Sequence, residues 1–290
     1  MNHDYLVKSL AFRDDIRIYT ARTTVLVHEA TQKVGAYPTA AAALGRMLTA
    51  TVMMGSMLKG QETVTVRMNG GGPIGLLIAD ANAHGQVRGY IAHPRVHFQH
   101  DSGKLNVGMA VGCAGDLYVT KDLGLKDYFT GQVPVQTGEI GDDLTYYFAQ
   151  SEQIPSAVGL GVWVGEKNEV LAAGGFIIQV MPEASEEAIR TLENALETIK
   201  PVSTMIADEM TPEDMAKALV GETPVKFLER MPLVFACHCE KEKFIPGLMS
   251  LGDEQLEAMI KEDHGAEAVC HFCLQTYQFT AAELEALKTS

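Results

Sequence analysis

The sequence of 290 residues contains no run of about 18 consecutive apolar side chains, so it offers no helix able to cross a membrane. It also shows no secretory leader, because Met1–Leu10 carries Asp4 and no long apolar stretch. A cytoplasmic, reducing setting is therefore expected. There the five cysteines would be free or metal-bound rather than structurally bridged. Positive charge is scarce: 23 Lys and Arg stand against 37 Asp and Glu, for a net charge of -14. The deficit is uneven. Residues 1–180 hold 14 basic against 16 acidic side chains, residues 181–231 hold 5 against 11, and residues 232–290 hold 4 against 10. An acidic field over the last 110 residues repels phosphate backbones and makes nucleic acid a poor partner.

Several motifs of catalysis are missing as well. The stretch Gly70-Gly71-Gly72-Pro73-Ile74-Gly75 lacks the Lys-Ser/Thr of a phosphate-binding loop and the strand–helix frame of a dinucleotide site, and reads as a turn between strands. There is no nucleophile elbow and no acid–base pair, so an enzyme is not expected. His93, His97 and His100 read as solvated loop residues around Pro94. The isolated Cys113 reads as a small buried hydrophobe, and Trp163 and Phe176 as core. No fixed-period repeat and no low-complexity tract occurs.

What is present is an ordinary globular composition, 47% hydrophobic and 21% charged. Alternating segments at Tyr5–Ala11, Ile16–Ala21, Thr63–Met68, Ile74–Ile78, Gln86–Ala92, Leu117–Thr120 and Val133–Thr137 predict strands. Ala157–Val164 and Glu169–Met181 predict a hairpin around Glu166-Lys167-Asn168. Helices are expected over Thr23–Val34, Pro38–Leu58 and, more briefly, Asp143–Gln150. The clustering of strands with helices indicates an α+β class, with a sandwich-like N-terminal domain over residues 1–180.

Beyond Met181-Pro182 the pattern becomes helical and acidic. Ser185 is a candidate N-cap for a helix with Ile189, Leu192, Leu196 and Ile199 on one face. Thr211-Pro212-Glu213-Asp214 starts a second helix with Met215, Leu219 and Val220 on its apolar stripe. Residues 181–231 thus read as a mobile helical connector with few strand signals. Residues 232–290 form a small module. It has a helix expected over Asp253–Lys261 and a capping box, Thr280-x-x-Glu283, for a last helix.

That module carries the chemistry. Cys237-x-Cys239 and Cys270-x-x-Cys273 are two chelating turns separated by thirty residues, the pattern of a tetrahedral zinc site. Four thiolates complete the coordination of one zinc ion and leave no position for substrate, so the site would be structural or regulatory. His238, His264 and His271 lie close enough in sequence to replace one thiolate. A module of 59 residues with few large apolar side chains needs a staple, and zinc binding would supply folding energy. Thiolates are also what oxidants attack. Joining sulfurs in a disulfide lowers the donor count, releases the metal and unfolds what the metal held. A Cys-x-Cys ring is tight, which makes it easy to reduce again.

The C-terminal Cys-x-Cys-x30-Cys-x-x-Cys array, following an α+β domain and an acidic connector, resembles the Hsp33 family of redox-regulated chaperones. Gly70–Gly75, Phe129-Thr130-Gly131-Gln132-Val133, Ser151–Ser156, Gly174–Pro182 and Ala268–Cys273 are similar to that family too, and the likeness spans essentially the whole chain. The resemblance implies an ATP-independent holdase. Its reduced, zinc-bound form is inactive, with Cys237, Cys239, Cys270 and Cys273 as ligands. Oxidation would form the disulfides Cys237–Cys239 and Cys270–Cys273, release zinc, unfold module and connector, and produce a homodimer that binds unfolded proteins. On that view the client-binding surface would come from the stripes Ile189, Leu192, Leu196, Ile199, Met215, Leu219 and Val220. The competing readings are a zinc-thiolate sensor that regulates one specific protein partner and a thiol oxidoreductase using Cys270-x-x-Cys273.

Overall fold

The computed structural model describes residues 3–288, and their contacts divide into two compact units between Ala236 and Cys237. The first unit is built on two sheets. One has five antiparallel strands in the order β10-β1-β2-β9-β8, namely β1 (Tyr5–Ala11), β2 (Ile16–Arg22), β8 (Ser156–Val164), β9 (Val170–Val180) and β10 (Val225–Pro232). The other has six in the order β11-β5-β4-β3-β6-β7: β3 (Thr63–Asn69), β4 (Leu77–Asn82), β5 (Gln86–Ile91), β6 (Asp116–Asp122), β7 (Phe129–Pro134) and the short β11 (Val234–Phe235), which runs parallel to β5.

Helix α1 (Thr24–Lys33) leads into α2 (Pro38–Gly55), which packs against strands of both sheets. Its Ala, Leu, Met and Thr side chains explain that central place: small residues let two layers approach, and all but Pro38 and Arg46 are buried. Helix α2 starts with Pro38 at its first turn, where a missing N–H costs nothing. α3 (Val107–Val111) packs against α2, and α4 (Gly141–Tyr147, continued by a π-turn over Phe148–Glu152) bridges β8 of one sheet and β7 of the other. Gly70–Pro73 is a turn between β3 and β4, as expected. A Cβ on Gly70 would lie 2.2 Å from the carbonyl oxygen of Gly112, so only glycine permits that approach.

The segment 181–231 is helical but not only helical. α5 (Glu186–Glu197), α6 (Val202–Ala207) and α7 (Pro212–Val220) lie over β2 and β9, where Leu192, Val202, Met205, Ile206, Met215, Leu219 and Val220 share a core with Ile16, Ile18 and Ile178. The Ser185 hydroxyl accepts the Ala188 N–H, and Thr211 and Asp214 form a reciprocal capping box, so both expected helix starts occur. The segment then ends in β10, which sequence patterning missed. Only Met231 of this strand is buried, so its side chains lack the two-sided alternation that flags a strand. It is held by pairing with β1, across a bulge at Lys8/Ser9, and by ion pairs: Lys8–Glu229 at 2.8 Å, Arg230–Glu213 at 2.9 Å and Lys226–Asp14 at 3.5 Å.

Other sequence expectations shift in detail. The fourth strand begins at Leu77 rather than Ile74, because Ile74 N–H instead binds the Ala110 carbonyl. The seventh runs Phe129–Pro134 rather than from Val133, because β6 sets the register. Cys113 is exposed rather than buried, and Trp163 is 51% exposed whereas Phe176 is buried. Position 163 falls on the outward side of the edge strand β8.

The second unit is smaller. A 3-10 turn over Lys241–Phe244 runs into α8 (Ile245–Met249). α9 (Asp253–Ala258) follows and continues as a π-turn over Met259–Asp263. A two-stranded hairpin, β12 (Gly265–Val269) with β13 (Thr276–Thr280), precedes α10 (Ala281–Leu287). Leu256, Phe279 and Leu284 form its buried centre. The Thr280–Glu283 capping box starts α10 as the sequence indicated.

A candidate metal centre of four cysteines

Two local structures present the sulfurs. Cys270 and Cys273 sit in the turn joining β12 to β13. There the Cys270 N–H binds the Gln275 carbonyl at 2.9 Å and the Leu274 N–H binds the Cys270 carbonyl at 2.8 Å. Leu274 closes the turn in the left-handed region at φ 59°, which a leucine adopts only when surrounding bonds hold it there. Cys237 and Cys239 lie in the extended stretch before the Lys241–Phe244 turn. The Lys243 ammonium donates to the His238 carbonyl between them, fixing the bend of this second turn.

The four sulfurs lie within 4.8 Å of one another, and no other group of metal-ligating side chains forms among the described residues. Cys237 Sγ is 3.7 Å from Cys270 Sγ, and Cys239 Sγ is 3.3 Å from Cys273 Sγ. A tetrahedral zinc thiolate with Zn–S of about 2.3 Å has S···S edges of about 3.8 Å. The donor set and spread therefore fit one tetrahedral ion, and all five cysteines are free thiols. Cys270 is buried and the other three are half-buried, as a closed site requires. His238, His264 and His271 do not join the group, so an all-thiolate set is the one the geometry supports. His93, His97 and His100 are exposed, and His97 Nδ1 lies 3.2 Å from Thr39 Oγ1.

The sulfurs are electrostatically unequal. Burial pushes the Cys239 thiol up, but the Tyr277 hydroxyl and the other three thiols outweigh it and bring it down to about 7. Burial and the other three thiols push Cys273 up to about 12, against a lowering backbone bond at Gln275. Cys239 and Cys273 are thus shifted in opposite directions. A cation held by thiolates displaces the protons of its ligands, so binding is coupled to proton release. Tyr277 lies on β13 with its hydroxyl 2.8 Å from the Cys239 carbonyl and 3.3 Å from Cys239 Sγ, and its ring packs at a tilt against Phe244, centroids 5.2 Å apart. Sequence reasoning did not single out Tyr277. The alternation Thr276–Thr280 was the available signal, since it marks a strand that turns position 277 away from 276 and 278. Lys241 bonds Glu283 and lies over the Phe279 ring at 4.8 Å, joining the metal-side turn to α10. That contact, with the bonds inside the Thr280 cap, holds the Glu283 carboxyl down at about 2.

The proposed client-contact side chains are covered in this state. Leu192, Met215, Leu219 and Val220 are buried, and Leu196 and Ile199 are partly buried against the same core, with Ile189 half-buried.

Comparison with known proteins accords with this arrangement. The family described as "Hsp33 protein" matches residues 4–280. Proteins named "33 kDa chaperonin" from Staphylococcus aureus strains JH9 and Newman are 53% identical over 291 aligned positions, covering 100% of this chain and 99% of theirs. The crystal structure of the 33 kDa chaperonin (heat shock protein 33 homolog) from Thermotoga maritima superposes with a TM-score of 0.91 at 34% identity, covering 99% of this chain and 98% of that one. Fold and likeness together define the class: a chaperone, not an enzyme. Within that class, the chain belongs to the Hsp33 family.

Proposed function

We propose that this chaperone is a cytoplasmic, ATP-independent holdase switched on by oxidation, and that the four clustered sulfurs are its switch. The observation that carries this reading is the meeting of Cys237, Cys239, Cys270 and Cys273 within 4.8 Å in a unit with little apolar core. Zinc fits the set best, because four soft thiolates in a closed tetrahedron select it over harder ions. When bound, it cross-links the two turns and supplies folding energy to the unit.

Oxidation removes the donors. Two thiolates give two electrons to a peroxide, an S–S bond forms, the O–O bond breaks, and the oxygens take up protons and leave as water. The pairs proposed are Cys237–Cys239 and Cys270–Cys273, each within one turn of chain. With its donors spent, the second unit has Leu256, Phe279 and Leu284 as its principal core and would open. Opening along the chain into residues 181–231 would bare Ile189, Leu192, Leu196, Ile199, Met215, Leu219 and Val220. These are apolar side chains on acidic helices, suited to hold unfolded proteins while staying dispersed. The three-part division into 1–180, 181–231 and 232–290 is the functional scheme of this proposal, with a homodimer as the active form.

The deciding experiment follows zinc content, free thiols and light scattering of several unrelated unfolding proteins, before and after peroxide. The expected result is one zinc per reduced chain, its loss with four thiols, and suppression of aggregation only after oxidation. A reduced protein without zinc, or suppression confined to one partner protein, would overturn it.

A further inference from the structure

The phenolic hydroxyl of Tyr277 has one proton and two acceptors within reach, and both belong to the same residue. They are the Cys239 carbonyl at 2.8 Å and Cys239 Sγ at 3.3 Å, each an ordinary distance for its atom type. Whichever it serves, the bond ties the Cys237-x-Cys239 turn to β13. The ring that carries the hydroxyl is itself packed, tilted against Phe244 beside the cluster of Leu256, Phe279 and Leu284. The Cys270–Cys273 turn is closed by backbone bonds within the β12–β13 hairpin, and the Cys237–Cys239 stretch lies outside that hairpin. A hydroxyl aimed at a thiolate draws charge from the sulfur and slows its attack on electrophiles and oxidants. Partners behind a ligand also set how well it stays bound.

We propose that Tyr277 is a positioning residue of the metal centre, whose hydroxyl holds Cys239 by carbonyl and sulfur and shields that sulfur from oxidants. The inference rests on the zinc-thiolate reading given above and adds to it a residue that sets the threshold. Its chemistry is specific to one sulfur of four, which makes it separable from general stability.

The test uses the full-length, reduced, zinc-loaded protein with two variants. Tyr277→Phe deletes the hydroxyl and keeps the ring. Phe244→Leu loosens the ring packing and keeps the hydroxyl. Each is pulsed with an alkylating probe, and labelling at every cysteine is read by mass spectrometry, alongside zinc release during a peroxide titration. In Tyr277→Phe, labelling of Cys239 relative to Cys270 should rise about tenfold, the lower end of what removal of a partner behind a metal ligand does. Zinc should also leave at a lower peroxide dose. Phe244→Leu should change all four cysteines alike. Loss of zinc from purified Tyr277→Phe, with zinc kept by Phe244→Leu, would equally support the assignment. An unchanged Cys239:Cys270 ratio in Tyr277→Phe, or the same ratio change in both variants, would overturn it while leaving the zinc reading intact. Absence of zinc from the unsubstituted protein would instead sink both.

Discussion

The two units of this chain are folded by different means. The first encloses α2 between sheets, with large side chains such as Leu44, Met47, Leu48 and Met53 wholly inside. The second, among its described residues, buries only Leu256, Phe279, Leu284 and the Cys270 side chain. Apolar burial of about 25 cal/mol per Å2 must exceed the entropy of ordering the chain, and three large side chains do not achieve that for more than fifty residues. The contrast teaches that stability here is divided by chemistry: one unit answers to packing, the other to sulfur.

The strongest way to break that contrast is to remove the metal. Chelation of the reduced protein, or Cys270→Ser, should abolish hydrogen-exchange protection across residues 237–288 while leaving α2 protected, since structural zinc contributes about 10–16 kcal/mol in comparable small modules. Protection that persists in the second unit would show that its packing suffices. A packing defect should do the converse. Leu44→Ala, at a fully buried position, should lower the stability of the first unit by about 2–5 kcal/mol in denaturant titration, with zinc affinity unchanged. A smaller effect sharpens the comparison from within the first unit. Asp4 is largely buried, and that burial raises its carboxyl to about 6 against the lowering pull of the Leu26 N–H and Arg22. Because the folded value lies above the unfolded one, the protonated form favours folding. The benefit is complete below about pH 4 and is lost as pH rises through about 6. Asp4→Asn should flatten that pH dependence, by at most about 3 kcal/mol, in melts followed between those values. Smallest of all, Ser185→Ala should cost about 1 kcal/mol and raise exchange in α5 alone, with α2 and the cysteine unit unaffected.

Much of this was legible in the residues. Helix caps at Ser185, Thr211 and Thr280 are local chemistry, and each was readable because donor and acceptor lie three residues apart. The cysteine quartet was legible for a similar reason: two short spacings each make one turn, and only one partner set exists for them to meet. What escaped was set at long range. β10 is a strand because β1 offers it an edge more than 200 residues earlier, not because its own residues alternate. Trp163 is exposed because β8 ends the sheet, which no local pattern announces. Cys113 follows a glycine held close to Gly70, in a turn that turns its thiol outward. Tyr277 earned no notice in the sequence because its importance lies in a hydroxyl that meets a residue 38 positions earlier.

Strand β10 forms one edge of the five-stranded sheet. With Met231 as its one buried side chain, it is seated by backbone bonds and by the pairs Lys8–Glu229, Arg230–Glu213 and Lys226–Asp14, most of which reach solvent. Such pairs weaken as the Debye length shrinks, from about 10 Å at 0.1 M salt to about 3 Å at 1 M. This seam is therefore sensitive to ionic strength in a way that the packed layers behind it are not.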